Sequence, residues 1–391
     1  MHSSRYLRIL AVQIKCANFL GGTPFSWDSK RGKVFVKPSS LMKHFSIMFI
    51  FTLYTIYAIS QVVYHLMIGK ATDFKFFFLY AITVCAVIDI ICAYPVARRP
   101  YHFAAVLNNF LRLLETFHHD YMPNYDVDDC VLNKVFDGVL ILISLGSPFA
   151  AVIISSHYIF YSDWPAYPTS LLPEDFHSLP VKIAFGVIWY ALLQFIWAIL
   201  LTNMVYLFTF GMYNWQILHE FMCRAGGVRG QKTIREFREF SVIRVNYRKF
   251  ELVYMNIHEL ICALIIPLES VILNLALFCN FTLITYSNLL TPINACILLI
   301  WNGMGTFGVL IGLTYAGEVY NKGVKTLGSM GKYEWGSKLN NKIMKKFVKS
   351  CRPIQIGYGR MYVIRKLSVF KFMRSLTKGT VRVLLMLKKY T

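Results

Sequence analysis

Residues 183–213 read IAFGVIWYALLQFIWAILLTNMVYLFTFGMY and contain no Asp, Glu, Lys or Arg. The hydrocarbon core of a bilayer is about 30 Å thick, and an α-helix crosses it with roughly 20 apolar residues at about 1.5 Å rise each. Uncharged apolar stretches of this length rarely belong to the core of a soluble protein. This stretch therefore predicts a membrane-spanning helix.

Five further stretches meet the same length requirement. They are residues 44–69, 76–97, 138–161, 261–287 and 288–317. Two of them carry one carboxylate each, Asp89 and Glu269, and the other three contain no Asp, Glu, Lys or Arg. The composition agrees, with 56% hydrophobic residues, 16% charged residues and a mean hydropathy of +0.48. Together these features predict an all-α polytopic membrane protein with short loops.

Lys and Arg alternate with the apolar stretches along the chain. Residues 1–43 hold eight of them, 214–254 hold eight and 319–360 hold ten, whereas 162–181 and 283–300 hold none. Basic loops within about 15–20 residues of a span stay on the cytoplasmic side, so we expect a cytoplasmic amino terminus. The net charge of +21 would otherwise suggest a nucleic-acid partner. Because the excess lies in loops that would face anionic lipid headgroups, no such partner is expected.

The chain contains none of the short motifs that would indicate an enzyme. It has no HExxH, no paired CxxC, no phosphate-binding glycine loop and no nucleophile elbow. His118, His119 and Asp120 are adjacent, but neighbouring side chains on a helix point about 100° apart and cannot readily hold one ion. We therefore expect no enzymatic activity, no cofactor and no metal site.

Two charged segments on the predicted cytoplasmic side have the periodicity of amphipathic helices. In residues 214–254, apolar side chains recur at steps of three and four at Ile234, Phe237, Phe240, Ile243, Tyr247 and Phe250. Residues 338–350 show the same pattern among five lysines. These segments either extend the spans and pack together into a cytoplasmic helical layer, or lie as basic helices on the inner leaflet.

The carboxyl-terminal segment, from residue 350 onward, carries a recognisable pattern. It contains Ser350-Cys351-Arg352-Pro353-Ile354, then Gly359-Arg360-Met361-Tyr362-Val363-Ile364, then Thr380-Val381-Arg382-Val383-Leu384-Leu385. This segment resembles the carboxyl-terminal signature of the arthropod seven-helix chemoreceptors, the gustatory and odorant receptor superfamily, and within it the gustatory receptors. In the gustatory signature, Thr-Tyr precedes five apolar residues and Gln-Phe. Here Thr380 keeps the threonine, while Val381, Leu387 and Lys388 replace the other three signature residues.

The resemblance implies a function and a set of candidate residues. Receptors of this superfamily are tetramers in which a small ligand opens a central cation pore lined by the final helix, here at Thr380, Val381, Leu384 and Leu387. Ligand is held between the outer halves of spans two, three, four and six. The residues expected to contact it are Tyr80, Ser147, Ser155, Ser156, Trp189, Tyr190 and Trp301.

The final helix also carries a basic stripe, because Lys371, Arg374, Lys378 and Arg382 recur at steps of three and four residues. A charge facing lipid tails costs about 2.5–3.5 kcal/mol at the helix centre on insertion scales. If the helix spans the membrane, the stripe borders water, and Arg382 joins the pore residues, where rings of basic side chains would favour anions or oppose cations. If the helix instead lies flat on the cytoplasmic surface, the stripe meets lipid phosphates.

These inferences divide the chain into six parts. Residues 1–43 form a cytoplasmic segment, 44–213 spans one to four, 214–254 a cytoplasmic helical extension, 255–318 spans five and six, 319–358 a cytoplasmic anchor, and 359–391 the final pore-lining helix. We expect a plasma-membrane receptor channel, assembled as a homo- or hetero-tetramer in lipid, that binds a small molecule and passes ions. A secondary transporter with Asp89 and Glu269 as coupling carboxylates is the alternative. A G-protein-coupled receptor would have its amino terminus outside, which disagrees with the charge pattern.

Overall fold

The computed structural model describes residues 4–70, 73–123, 125, 131–173, 178–224, 231–358 and 362–387. Within its helices it does not describe the side chains at positions 131, 132, 135, 136, 143, 145, 147, 204, 207, 208 and 387. The described part has ten α-helices: α1 Ser4–Leu20, α2 Pro38–Met67, α3 Phe74–Arg98, α4 Pro100–Tyr121, α5 Val131–Phe160, α6 Leu179–Glu220, α7 Phe240–Thr285, α8 Pro292–Lys332, α9 Lys338–Ser350 and α10 Ser368–Leu387.

Two short antiparallel hairpins complete the regular structure. β1 (Phe25–Asp28) pairs with β2 (Lys33–Val36), and β3 (Gly357–Tyr358) pairs with β4 (Tyr362–Val363). Single 3-10 turns occur at Pro168–Leu171 and Arg235–Arg238. The first hairpin leads from α1 into α2, and the second leads from α9 into α10.

Proline and short polar side chains set several helix starts. Four helices have a proline in the first turn, where the missing N–H would have no partner within the helix: α2, α4, α6 and α8. The Asp73 carboxylate accepts a hydrogen bond from the Lys75 N–H at the start of α3, and the Ser337 hydroxyl accepts one from Asn340 at the start of α9. Such caps stabilise a helix by about 0.5–2 kcal/mol.

In the described part of the chain, five helices are long and apolar enough to cross a bilayer: α2, α3, α6, α7 and α8. In α5 the described apolar portion is Pro148–Phe160. α10 has 20 residues, enough for about 30 Å, but it carries the four residues of the basic stripe. These lengths and compositions confirm a multi-pass membrane protein.

Three helices are far longer than a bilayer requires. α6, α7 and α8 have 42, 46 and 41 residues, which correspond to about 60–70 Å at about 1.5 Å per residue. Each passes through two separate hydrophobic cores. One core lies among α2, α3, α5, α6, α7 and α8, and we call it the bundle core. The other lies among α1, α4, α9 and the remaining halves of α6, α7 and α8, and we call it the anchor layer.

Aromatic rings fill the anchor layer. Phe221 at the end of α6 lies 5.1 Å from Phe237 and 5.4 Å from Tyr247, between ring centroids, and stacks on Phe250. All four residues are buried, and burial of each such side chain contributes about 1.5–3 kcal/mol. Three of them belong to the apolar stripe predicted within 214–254. The first half of α7 therefore continues its span as predicted and packs into a layer.

The helix predicted over residues 338–350 occurs with those same bounds, as α9. Met344 on α9 is fully buried, and Phe347 and Val348 pack against the same core, while Leu339 is exposed. Packing into a helical layer therefore describes α9 better than a separate helix on a lipid surface. The sequence reasoning missed α1, whose Tyr6, Leu10 and Ile14 enter this core.

The connection into α10 passes close to α8. A Cβ atom added at Gly317 of α8 would lie 2.8 Å from the backbone nitrogen of Lys366, so only glycine allows this approach. A Cβ added at Gly357 would lie within bonding range of the Tyr362 carbonyl oxygen, which explains the glycine in the β3–β4 hairpin. The Tyr254 hydroxyl of α7 donates a 2.6 Å hydrogen bond to the Gln355 carbonyl oxygen. These contacts fix where α10 begins.

Candidate functional site

The bundle core contains a cavity of about 160 Å³ bounded by α2, α3, α5, α6, α7 and α8. Its walls are almost entirely apolar, and many of them are aromatic. Three tryptophans line it, Trp189, Trp197 and Trp301, together with Phe51 and Tyr54. A cavity of about 150 Å³ with apolar walls holds a benzene-sized molecule. This cavity is therefore large enough for a compact organic ligand with one ring.

One face of α3 forms a wall of the cavity. Ile82, Cys85, Ala86, Asp89 and Cys92 recur at three- and four-residue steps and all line it. α2 and α6 form adjacent walls. They meet where the Tyr54 ring contacts the Trp189 ring edge-to-face, with 4.9 Å between the ring centroids. These contacts give the cavity defined walls.

A connecting segment, residues 161–172, covers one end of the bundle. The Tyr54 hydroxyl donates to the Ala166 carbonyl oxygen at 3.2 Å, and the Tyr57 hydroxyl lies 3.0 Å from the carbonyl oxygens of Pro165 and Tyr167. Tyr167 is fully buried, and its ring contacts the ring of Trp189 at 5.5 Å. The segment therefore covers the end of the bundle at which Tyr54 and Trp189 line the cavity. Among the residues that line the cavity, only Met304 of α8 is exposed, at 43%.

Asp89 is the one acidic residue in the wall. It is 3% exposed, and its Oδ1 atom has no hydrogen-bond partner among the described residues. None of the ion pairs found in the described part includes it. A charged carboxylate without a partner in an apolar cavity would be very costly, so Asp89 is the wall residue that most needs a polar partner.

Glu269, the other carboxylate within a predicted span, has a different environment. Its Oε2 accepts a 2.9 Å hydrogen bond from the Tyr362 hydroxyl of β4, and it does not line the cavity. The two carboxylates therefore do not share a site, and a transporter that couples through both is not favoured.

The structure separates the seven predicted ligand residues. Trp189 and Trp301 line the cavity. Tyr80 instead stacks on Phe278 of α7 and accepts a hydrogen bond from Asn274. The Ser155 and Ser156 hydroxyls donate to carbonyl oxygens of their own helix. Tyr190 packs against the bundle core outside the cavity lining, and the side chain of Ser147 lies outside the described residues.

Sequence reasoning missed the walls supplied by α2 and α7. Phe51, Tyr54, Ile272 and Leu275 line the cavity from these helices, which correspond to spans one and five. Nothing in the residue pattern distinguishes these side chains from ordinary packing. The sequence reasoning singled out Asp89 as a carboxylate within a span, but it did not place this residue at the ligand site.

α10 has two distinct faces. Phe372, Leu376, Val383 and Leu384 pack against the rest of the chain, whereas the predicted basic stripe is exposed. Among the predicted pore residues, Val381 and Arg382 are on the exposed side. Leu384 faces the chain's own core. The side chain of Leu387 lies outside the described residues, as do Gly359–Met361 and Lys388 of the signature.

Thr380, the retained signature residue, joins α10 to the bundle through amide side chains. The Asn280 side chain of α7 donates to the Thr380 hydroxyl at 3.3 Å. Asn302 of α8 in turn donates to the Asn280 side-chain oxygen at 2.7 Å, and its own side-chain oxygen accepts from Thr306. Asn302 directly follows Trp301, which lines the cavity. Hydrogen bonds therefore connect α8, at the residue after Trp301, through α7 to α10.

Metal chemistry has no support in the described residues, where no group of three or more His, Cys, Asp or Glu could hold an ion. His119 pairs instead with the adjacent Asp120 at an exposed position.

Comparison with solved structures gives the same fold over the whole chain. The insect olfactory receptor OR5 from Machilis hrabei matches with a TM-score of 0.59 and 10% identity, covering 99% of this chain and 100% of that one. The structure of that receptor in complex with eugenol matches with a TM-score of 0.56 and 11% identity, covering 98% of this chain and 99% of that one. No protein-family model and no curated protein sequence matches.

This likeness confirms the predicted fold class, an all-α polytopic membrane protein of seven helices.

Proposed function

We propose that this chain is a chemosensory receptor of the arthropod superfamily that acts as a ligand-gated ion channel, opened by a small organic molecule in the bundle cavity. The observation that carries the proposal is the fold shared with an insect olfactory receptor over the full length of both chains. The carboxyl-terminal resemblance, with Thr380 at the signature position, supports the gustatory branch.

The cavity supports the ligand class. The Machilis receptor was solved with eugenol, a molecule with one aromatic ring, and the cavity here suits a single ring by volume and by its aromatic walls. We therefore take Trp189, Trp301, Tyr54 and Phe51 as ligand-contacting residues. Tyr80, Tyr190, Ser155 and Ser156 have partners elsewhere, so they become secondary candidates.

Gating would use the path from Trp301 to Thr380. A ligand that presses on the Trp301 ring displaces α8 at the next residue, Asn302, whose bond to Asn280 connects to α10. A ligand shifts such an equilibrium only as far as it binds one arrangement better than the other. In this mechanism Thr380 transmits the movement, and Val381 and Arg382 on the exposed face border the ion pathway.

Assembly into a tetramer would cover the exposed face of α10. Phe370, Val381, Leu385 and Met386 all have at least 49% of their surface exposed in the single chain. Together with the basic stripe they form a face with both apolar and charged residues, suited to partner helices on one side and water on the other. Cation conduction rests on the family resemblance, since four basic stripes alone would favour anions.

Orientation at the plasma membrane follows the charge rule, with the amino terminus and the anchor layer cytoplasmic. Cys16 of α1 is exposed and free, so it can report this. A membrane-impermeant maleimide should label Cys16 only after intact cells are permeabilised, and a cysteine placed at Leu172 should react without permeabilisation. Labelling of Cys16 on intact cells would contradict the orientation.

The decisive experiment is whole-cell recording from cells that express this chain alone and with a co-receptor subunit. Small aromatic and alicyclic compounds should evoke currents within milliseconds to seconds, and ion substitution should shift the reversal potential as a cation pathway requires. Arg382→Ala should change relative permeability, while Lys366→Ala, whose Nζ pairs with Glu318 at 3.1 Å, serves as the matched control. Well-expressed protein at the cell surface without any evoked current would rule out the channel.

A further inference from the structure

The cavity combines aromatic faces with a single acid, and this combination specifies a ligand chemistry. Asp89 lies on the same helical face as Cys85 and Cys92, at steps of four and three residues, and all three line the cavity. Its carboxyl group is 3% exposed and its Oδ1 has no partner among the described residues. A buried polar atom without a partner is unfavourable, so a ligand that pairs with Asp89 removes an existing cost.

The aromatic residues of the cavity further restrict the chemical class of the ligand. Trp189, Trp197 and Trp301 line the same cavity, and tryptophan faces attract organic ammonium groups more strongly than the faces of other aromatic residues do. None of the cavity-lining residues is a Lys, Arg or His, so nothing there would repel a cation. A cavity lined by one carboxyl group and three tryptophans matches an amine better than an alcohol, an ester or a hydrocarbon.

We propose that the preferred ligand is a small primary amine on a single apolar ring, bound through an ion pair with Asp89. The inference rests on the proposed binding of a small molecule in this cavity. A neutral amine enters, its nitrogen lone pair takes the proton from the Asp89 carboxyl oxygen, and a carboxylate–ammonium pair remains. The cavity stays neutral overall, and both charges are paired, which an apolar site requires.

Three probes of nearly equal size test the proposal: benzylamine, benzyl alcohol and toluene. Binding to the purified full-length protein in lipid nanodiscs is followed by tryptophan fluorescence, because three tryptophans line the cavity. Benzylamine should bind roughly tenfold or more tightly than toluene, the gain expected from a charged hydrogen bond in a buried site. Benzyl alcohol should fall between them.

Asp89→Asn should remove the preference for the amine while toluene affinity stays within about threefold, since the side-chain volume is conserved. Glu269→Gln is the matched control, a carboxylate in another helix that bonds to Tyr362 outside the cavity. It should leave all three affinities unchanged. If Asp89→Asn does not fold, the ranking of the three probes on the native protein decides alone.

Two results would overturn the proposal: equal binding of the three probes to the native protein, or undiminished benzylamine binding to a folded Asp89→Asn variant. Recording separates this inference from the proposed function. If benzylamine binds in an Asp89-dependent way but evokes no current, the amine inference is supported and the proposed channel function is contradicted. Currents evoked by toluene as readily as by benzylamine would support the channel and reject the amine.

Discussion

Asn280 of α7 donates a hydrogen bond to Thr380 of α10, and the two side chains are separated by 3.3 Å. Asn280 is also the acceptor for Asn302, which follows a tryptophan of the cavity wall. Thr380 of the last helix is thus joined through two amide groups to the residue that follows Trp301, within one chain.

Thr380→Val should weaken this connection while preserving side-chain shape. The net contribution of one hydrogen bond is about 0.5–1.5 kcal/mol, so ligand-evoked opening should fall roughly two- to tenfold. Ligand binding, measured by tryptophan fluorescence, should be unchanged. Thr377→Val is the matched control, because the Thr377 hydroxyl bonds only to the Met373 carbonyl oxygen of its own helix. Equal currents from both variants at equal surface expression would exclude Thr380 from gating.

Ala86→Leu should block the cavity. Ala86 is buried and lines it, and the added carbons can occupy the empty volume, so the protein should still reach the cell surface. The dose–response curve for ring-sized ligands should move to concentrations at least about tenfold higher. Ser156→Ala lies outside the cavity and should respond normally. A normal response from Ala86→Leu would move the ligand site elsewhere.

Gly317→Ala should disturb the start of α10. Its added methyl group would meet the backbone at Lys366 at 2.8 Å, and overpacking of this kind costs about 1–3 kcal/mol. Gly312→Ala is on the same helix and meets nothing within 4 Å, so it should be neutral or stabilising by about 0.5–1 kcal/mol. Thermal unfolding of both purified variants measures the difference. If the two variants unfold at the same temperature, Gly317 does not lie this close to the Lys366 backbone in solution.

Glu251→Ala should destabilise the anchor layer. This buried carboxylate accepts from Arg248 and from the Arg352 backbone N–H, the latter at 3.0 Å, and so ties α7 to the residues after α9. Its loss should cost about 1–3 kcal/mol because buried donors lose their partner. Glu259→Ala, which removes an exposed pair with Arg99 at 2.9 Å, should cost at most about 1 kcal/mol. Comparison of the two unfolding free energies checks the prediction.

The thiol of Cys351 should react slowly at neutral pH. Burial raises the pKa of Cys351 to about 11, and only the thiolate attacks a maleimide. Below that pKa its labelling rate should rise about tenfold per pH unit, whereas the exposed Cys16 should already react readily at pH 8. Peptide mapping by mass spectrometry distinguishes the two sites. Equal labelling at pH 8 would show that Cys351 is not buried as described.

The sequence predicted those elements whose two faces differ in polarity. The periodicity of α9 predicted its extent, and that of residues 214–254 predicted buried side chains in the first half of α7. It did not predict that α7 begins only at Phe240, or that Met344 rather than Leu339 is buried in α9. The basic stripe of α10 likewise indicated which side is exposed. α1 has the same kind of pattern, with Tyr6, Leu10 and Ile14 buried, but its basic residues were interpreted only as a topology signal.

The cavity walls could not be predicted in the same way. α3 and α6 are apolar on all sides, and 72% of the most apolar part of α3 is buried, so no periodicity shows which face meets an empty space. Tyr54 and Ile272 line the cavity because of how the neighbouring helices pack there. Such tertiary packing is not visible in the residue pattern of one helix. Trp189 and Trp301 were named from the family resemblance, and Asp89 was noted because a carboxylate within a span is a functional candidate wherever it points.

Met304 is the one exposed residue among those that line the cavity, and its position bears on how a molecule would reach it. Residues 161–172 seal the end of the bundle through the Tyr54 and Tyr57 hydroxyls, and the single exposed wall residue lies partway along an apolar helix. Compounds would then arrive sideways, after dissolving in the surrounding lipid. Sensitivity would follow the oil–water partition coefficient of each compound as much as its fit, and the bilayer would serve as the reservoir that the protein samples.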